Sequence, residues 1–322
     1  MERDMSYNST SESAVEQEQA PPVTEPLHWR DFITVTKTGI VKSNVLSAAA
    51  AFWLAVQTVG RSGTDFSGLS GFLLFLYTCV GTALIIASGC VLNNYLDRDL
   101  DKKMERTKHR PSVQRFDSRL LLGYGIVLGI AGTLLLVTLV NLITAVLGLL
   151  GIFFYVIVYT LWMKRTTSLN TVVGGLSGAI PPMMGWCAVT GGLDAGAGLL
   201  FVIMFLWQPP HFLALAMLRS EEYRVAGFKM LTSESGAEET KWQMLLWTTA
   251  LVPASLLLYL LPSLGDLYLT VMTILGGFYV AYALQGVYGN APNEKQWAGK
   301  MFGYSLIYLV VMYAVIFVDA AL

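Results

Sequence analysis

The chain has 322 residues, 54% of them hydrophobic and only 13% charged, about half the charged share of a soluble protein. Its 21 basic and 22 acidic residues leave a net charge of −1, which excludes a nucleic-acid binder that displaces counterions with a basic surface. Three cysteines, Cys79, Cys90 and Cys187, lie inside apolar stretches and offer neither a disulfide framework nor a Cys-x-x-Cys metal site.

Residues 1–27 hold six acids and one Arg among Ser, Gln and Pro, which predicts a disordered acidic tail on the cytoplasmic side. The tail has neither the basic start and apolar core of a secretory signal nor the Arg-rich, acid-poor make-up of a mitochondrial presequence. Apolar runs of bilayer length, about 17 to 25 residues, then fall near 40–59, 71–92, 119–139, 143–163, 171–190, 197–218, 243–261, 267–288 and 301–319. The alternating ten-residue segments of a β-barrel are missing, so residues 28–322 read as one all-α, polytopic domain of nine transmembrane helices. With the N-terminus in the cytoplasm, every basic residue except Arg61 falls on the inner side, as the positive-inside rule asks. That predicts a multi-pass protein of the bacterial plasma membrane with its C-terminus outside. Two inner loops, about 93–118 and 219–242, carry acids and bases together.

The first of these loops follows the second helix as NNYLDRDLDKKMERTKHRP. Asn93, Asp97 and Asp101 stand four residues apart, so an unbroken helix would align an amide and two carboxylates on one stripe about 12 Å long. Hard divalent ions such as Mg²⁺ are held by one or two carboxylates together with substrate phosphate oxygens, so the stripe suits diphosphate chemistry. The plainer reading pairs Asp97, Asp99 and Asp101 with Arg98, Lys102 and Lys103 on a solvated helix end, where such pairs contribute little. Arg106, Lys108, His109 and Arg110 come next and suit either a departing diphosphate or anionic lipid headgroups.

After the fourth helix, YTLWMKRTTSLNTVVGGLSGAIPPMMGW places Lys164 and Arg165 at the inner boundary, as snorkelling anchors or as further diphosphate contacts. Gly174, Gly175, Gly178 and Pro181–Pro182 predict close approach or a kink. In the sixth helix, WQPPHFLALAMLRSEEYRVAGFKM sets His211 eleven residues before Glu222. On a continuous helix the two share a face, with the histidine about 16 Å deeper. His211 reads equally as a neutral histidine bonded to a neighbouring helix or as a substrate or haem-iron contact, and Glu222 as a site acid or an ordinary helix-end acid.

The Asn-x-x-x-Asp-x-x-x-Asp pattern resembles that of the UbiA-type intramembrane prenyltransferases. The words NNYLDRDLDKKMERTKHRP, YTLWMKRTTSLNTVVGG, GAIPPMMGW and WQPPHFLALAM resemble the haem-farnesylating branch of that family over most of residues 30–320. The resemblance implies helices around a central cavity open to lipid, with the two charged loops as helical caps. It implies transfer of a farnesyl group from farnesyl diphosphate to a vinyl group of haem B with addition of water, giving haem O. Asn93, Asp97 and Asp101 would form the first diphosphate–Mg²⁺ motif, and Glu222 falls on the second. That second motif departs from the pattern: Ala226 stands where many relatives have another Asp, and Phe228-Lys229-Met230-Leu231-Thr232 replaces the usual Pro-Met-Leu-Pro-Val. Mg²⁺ is the implied cofactor, haem B a substrate, membrane lipid the surroundings, and a haem A synthase the partner expected downstream. In this scheme Asp97, Asp101, Arg110 and Lys164 are catalytic. Asn93, Arg106, Lys108, Arg165, Glu222, His211, Tyr155 and Tyr159 bind substrate.

Two other functions fit parts of the pattern. A prenyltransferase of the same family acting on a quinone precursor would share the Asp motif but not the Pro-Pro-His-Phe segment. A transporter would place ionisable residues at mid-membrane in several broken helices, whereas these acids cluster at one edge.

Overall fold

The computed structural model describes residues 26–60, 68–167, 170–221, 231–289 and 293–322. The predicted acidic tail lies outside them, save for its last two residues.

Nine of the described helices are long and apolar enough to cross a bilayer: Thr38–Gly60, Gly68–Leu96, Ser118–Leu139, Leu142–Met163, Thr171–Thr190, Ala195–Leu218, Gly236–Leu260, Asp266–Tyr288 and Glu294–Asp319. We number them as spans one to nine. The architecture is all-α and multi-pass, as expected. The main differences lie at the charged ends. Span seven begins at Gly236 rather than near 243, and span nine at Glu294 rather than near 301. Glu238 and Glu239 sit in the first turn of span seven, where the helix dipole favours acids. Lys241 is buried there and pairs with Glu238 at 2.6 Å and with Glu294 of span nine at 2.8 Å. A charged turn is thus accommodated at the head of a membrane helix because its cation is neutralised twice. The second charged loop is correspondingly shorter than 219–242.

Each span packs against the next in sequence, and span nine returns to span one, so the bundle closes on itself. Spans five and six form its middle: 56% and 61% of their apolar windows are buried, against 22% to 39% elsewhere. The outer spans turn large apolar side chains such as Ile130, Leu134, Ile274 and Phe278 outward, the face lipid requires.

Two glycines let span five approach its neighbours closely. A Cβ on Gly185 of span five would lie 1.9 Å from the Ala48 carbonyl oxygen of span one, and one on Gly178 would lie 2.2 Å from Gln208 Oε1 of span six. Span five is interrupted between Asn170–Gly178 and Ile180–Thr190, with prolines in the first turn of the second piece, where a missing N–H costs nothing. Gln208 Nε2 donates to the Gly175 carbonyl at 2.8 Å beside the interruption. The prolines thus coincide with an interruption of the helix at Ala179, beside which a neighbouring amide is bonded.

Before span one, the short helix Trp29–Val35 lies as a strap across the charged end of the bundle. Phe32 meets Phe116 and Tyr124 edge-on at 5.0 and 5.2 Å, and buried Asp31 pairs with Arg115 at 3.1 Å. Val35, Val91, Phe116 and Leu121 make a small core there, separate from the main one. The loop between spans two and three is stapled from within by Arg98, which donates to Ser118 Oγ at 2.5 Å and to the Phe116 and Val113 carbonyls at 2.9 and 3.2 Å.

Candidate active site

Span two ends at Leu96, and a four-residue helix, Arg98–Asp101, follows. Asp97 between them has φ −88° and ψ 0°, the sparsely populated bridge region where active-site residues often sit. The helix is therefore not unbroken, as the sequence suggests. Its hydrogen-bond pattern nevertheless persists, Asp97 N donating to Asn93 O at 2.9 Å and Asp101 N to Asp97 O at 2.8 Å. Asn93, Asp97 and Asp101 thus stay aligned, and all three are buried. That removes the solvated-helix-end reading for Asp97 and Asp101. It holds only for Asp99, which is exposed and pairs with Lys102 at 2.9 Å.

Two cations come from elsewhere in the fold. Lys164, just after span four, donates to Asp97 Oδ2 at 2.5 Å. Arg110 precedes Pro111, which forces it into an extended conformation with φ −65° and ψ 144°, and its Nη1 reaches back to Asp101 Oδ2 at 2.9 Å. Asn93 Nδ2 donates to Asp97 Oδ2 at 2.9 Å and to Thr160 Oγ1 at 3.0 Å. Thr160 in turn donates to the Tyr155 carbonyl at 2.8 Å. That five-residue step belongs to the second half of span four, an eleven-residue π-helix, Phe153–Met163. Such windings are rare and cluster at functional sites. Here the winding delivers Thr160 and Lys164 to Asn93 and Asp97.

Lys37 completes the network and was not singled out by sequence. Its Nζ donates to Asn93 Oδ1 at 2.5 Å. Its backbone φ of 55° is the only positive value at a non-glycine among the described residues, a conformation that costs about 1–2 kcal/mol in an L-residue. Burial pulls the ammonium down to about 8; Arg110 and Lys164 act in the same direction and Asp97 opposes them. A strained lysine with a desolvated charge is the kind of local cost that marks a functional position. The strap just upstream, pinned by Asp31 and Phe32, fixes where Lys37 turns.

The donor set suits a hard divalent ion. Asp97 Oδ1 is buried without a hydrogen-bond partner, an oxygen that a cation would satisfy. No cluster of three His, Cys, Asp or Glu exists among the described residues, so two carboxylates would need oxygens from a substrate to complete the coordination of Mg²⁺.

Other expected site residues are placed differently. Arg106 is exposed, and Lys108 pairs with exposed Glu105 at 2.6 Å. Tyr155 and Tyr159 stack at 5.9 Å with ring planes 9° apart, each against a glycine, Gly89 of span two and Gly174 of span five. His211 lies between Trp207 and Phe302, both 4.6 Å away, with Nδ1 2.7 Å from Ser305 Oγ. Span six ends at Leu218, so the count from His211 to Glu222 does not follow one helix. Glu222 and Ala226, together with the side chain of Arg165, lie outside the described residues.

Comparison with known proteins agrees with this geometry. The model of the UbiA prenyltransferase family matches residues 44–306. The protoheme IX farnesyltransferase of Alkalihalophilus pseudofirmus is 46% identical over 286 residues, covering 88% of each chain. Among solved structures, one described for digeranylgeranylglyceryl phosphate synthase superposes with a TM-score of 0.72 at 17% identity, over 90% of this chain and 98% of that one. A UbiA homologue from Archaeoglobus fulgidus bound to DMAPP and Mg²⁺ gives 0.61 at 13% identity, over 89% and 99%. With nine spans, a buried Asn-Asp-Asp stripe at the end of the second and a family match across most of its length, the chain belongs to the UbiA prenyltransferase family.

Proposed function

We infer that this chain is a transferase that moves the farnesyl group of farnesyl diphosphate onto a vinyl group of protohaem IX (haem B), with addition of water, giving haem O and diphosphate. The near-complete overlap with the Alkalihalophilus protoheme IX farnesyltransferase carries this reading, and the buried carboxylate-and-cation site supports it.

The allylic C–O bond of farnesyl diphosphate breaks with its electron pair leaving on the diphosphate. Electrostatic stabilisation of that charge is the main service a site can offer. Lys37, Lys164 and Arg110 are the cations within the network, and each is already oriented by Asn93, Asp97 or Asp101. Asp97 and Asp101 would hold Mg²⁺, which when bound neutralises the diphosphate. The vinyl group attacks the farnesyl cation, and the porphyrin-side cation left behind takes a hydroxyl from water, releasing a proton. Tyr155 and Tyr159 would line the prenyl channel, and Arg165, Glu222, Arg106 and Lys108 would contribute at the cap. The positive charge on the carboxylate side supports an inward N-terminus and an outward C-terminus.

The test is the pigment extracted from cells expressing the chain, resolved by mass against haem B. Haem O is expected. Haem B alone beside abundant protein would overturn the reading, and a prenylated quinone precursor would redirect it.

A further inference from the structure

His211 is held by more contacts than a core histidine needs. It is 9% exposed, and its ring is clamped on both faces, by Trp207 at 4.6 Å and 19° and by Phe302 at 4.6 Å and 26°. Trp207 is itself fixed by donating Nε1–H to the Ser305 carbonyl at 2.8 Å. One turn of span nine therefore supplies a ring, a hydroxyl and a carbonyl that together immobilise a single imidazole of span six.

The hydroxyl also decides the tautomer. Ser305 has one proton, and the Phe302 carbonyl, which can only accept, takes it at 2.6 Å. The Ser305 oxygen is then an acceptor toward His211 Nδ1, 2.7 Å away, so Nδ1 carries the ring proton and Nε2 carries the bare lone pair. Nε2 meets no donor among the described residues. A neutral imidazole with its Nδ1–H tied down and Nε2 free is the form that ligates metals.

We propose that His211 Nε2 is the axial ligand to the iron of the porphyrin acceptor, and that Ser305 is the positioning residue that fixes its tautomer. The assignment rests on haem B being the acceptor. His211 stands seven residues before the end of span six, about 10 Å below the helix end. The iron would therefore sit in the apolar interior.

The experiment loads the full chain in detergent with ferric haem B or with metal-free protoporphyrin IX, and records absorbance spectra and affinity. Wild type should show an imidazole-ligated spectrum. His211→Gly should lose it and regain it on addition of imidazole, while binding metal-free protoporphyrin as wild type does. Ser305→Ala should weaken haem affinity about tenfold with no change for the metal-free ring. A His211→Gly spectrum identical to wild type, or equal losses for both porphyrins in either variant, overturns the proposal. A wild-type protein that makes haem O but shows such a result loses only the axial-ligand assignment. One that neither binds haem nor makes haem O loses the acceptor reading as well.

Discussion

Lys37 allows catalytic and structural roles to be separated by a pair of substitutions. Lys37→Ala removes the ammonium but keeps a Cβ at φ 55°, whereas Lys37→Gly removes both charge and strain. The hydrogen bond to Asn93 Oδ1 and the burial of charge are lost alike in both, so their difference isolates the backbone term. Glycine adopts positive φ freely, so Lys37→Gly should be the more stable variant by about 1 kcal/mol, or about 2 °C in Tm. Both variants lose a preorganised cation from the leaving-group side and should turn over at least 10²-fold more slowly, by about 3 kcal/mol in the barrier. The assays are thermal unfolding in detergent and haem O formation by mass. Near-normal turnover in Lys37→Ala would refute the role. A Lys37→Gly protein no more stable than Lys37→Ala would refute the strain argument.

Three further outcomes follow from the geometry. Asp97→Asn keeps the shape of the side chain but removes the charge shared by Lys164 and Asn93. Turnover should fall at least about 10²-fold with an unchanged gel-filtration profile, and retained haem O production would sink the metal assignment. Gly185→Ala puts a methyl group 1.9 Å from backbone at Ala48, so spans one and five must separate, at a cost of about 3 kcal/mol; an unchanged Tm would contradict that contact. Arg98→Ala releases Ser118 and two cap carbonyls and should cost about 3 kcal/mol. Limited proteolysis should then cut within 102–117, and a cap as resistant as wild type would count against the staple.

What the sequence reveals and what it hides divide along physical lines. A bilayer imposes one length on every crossing helix, so the nine spans are legible from apolar runs alone. Their charged ends are less so, because Lys241 looks like a loop residue until Glu238 and Glu294 are seen around it. Asn93, Asp97 and Asp101 are legible because their partners in the pattern are local. Lys37 is not: it meets Asn93 across 56 positions, and no spacing rule reaches that far. The π-helical half of span four is equally silent, since Phe153–Met163 reads as an ordinary apolar run, yet it carries Thr160 and brings Lys164 within reach of Asp97. The prolines of span five announce an interruption, whereas the glutamine of span six bonded beside it gives no local sign.

The closure of span nine onto span one has a consequence for how the protein is made. Tyr313 donates its hydroxyl proton to Ser47 Oγ at 2.7 Å across 266 positions. At roughly 5–20 residues per second of synthesis, the first helix waits on the order of half a minute in the membrane before its last neighbour exists. Throughout that interval Ser47, and Trp53, whose ring later stacks on Phe317 of span nine, face lipid or the insertion machinery. Variants at Ser47 or Trp53 should therefore reduce yield before they reduce activity, because they prolong the one stage at which the bundle has no end.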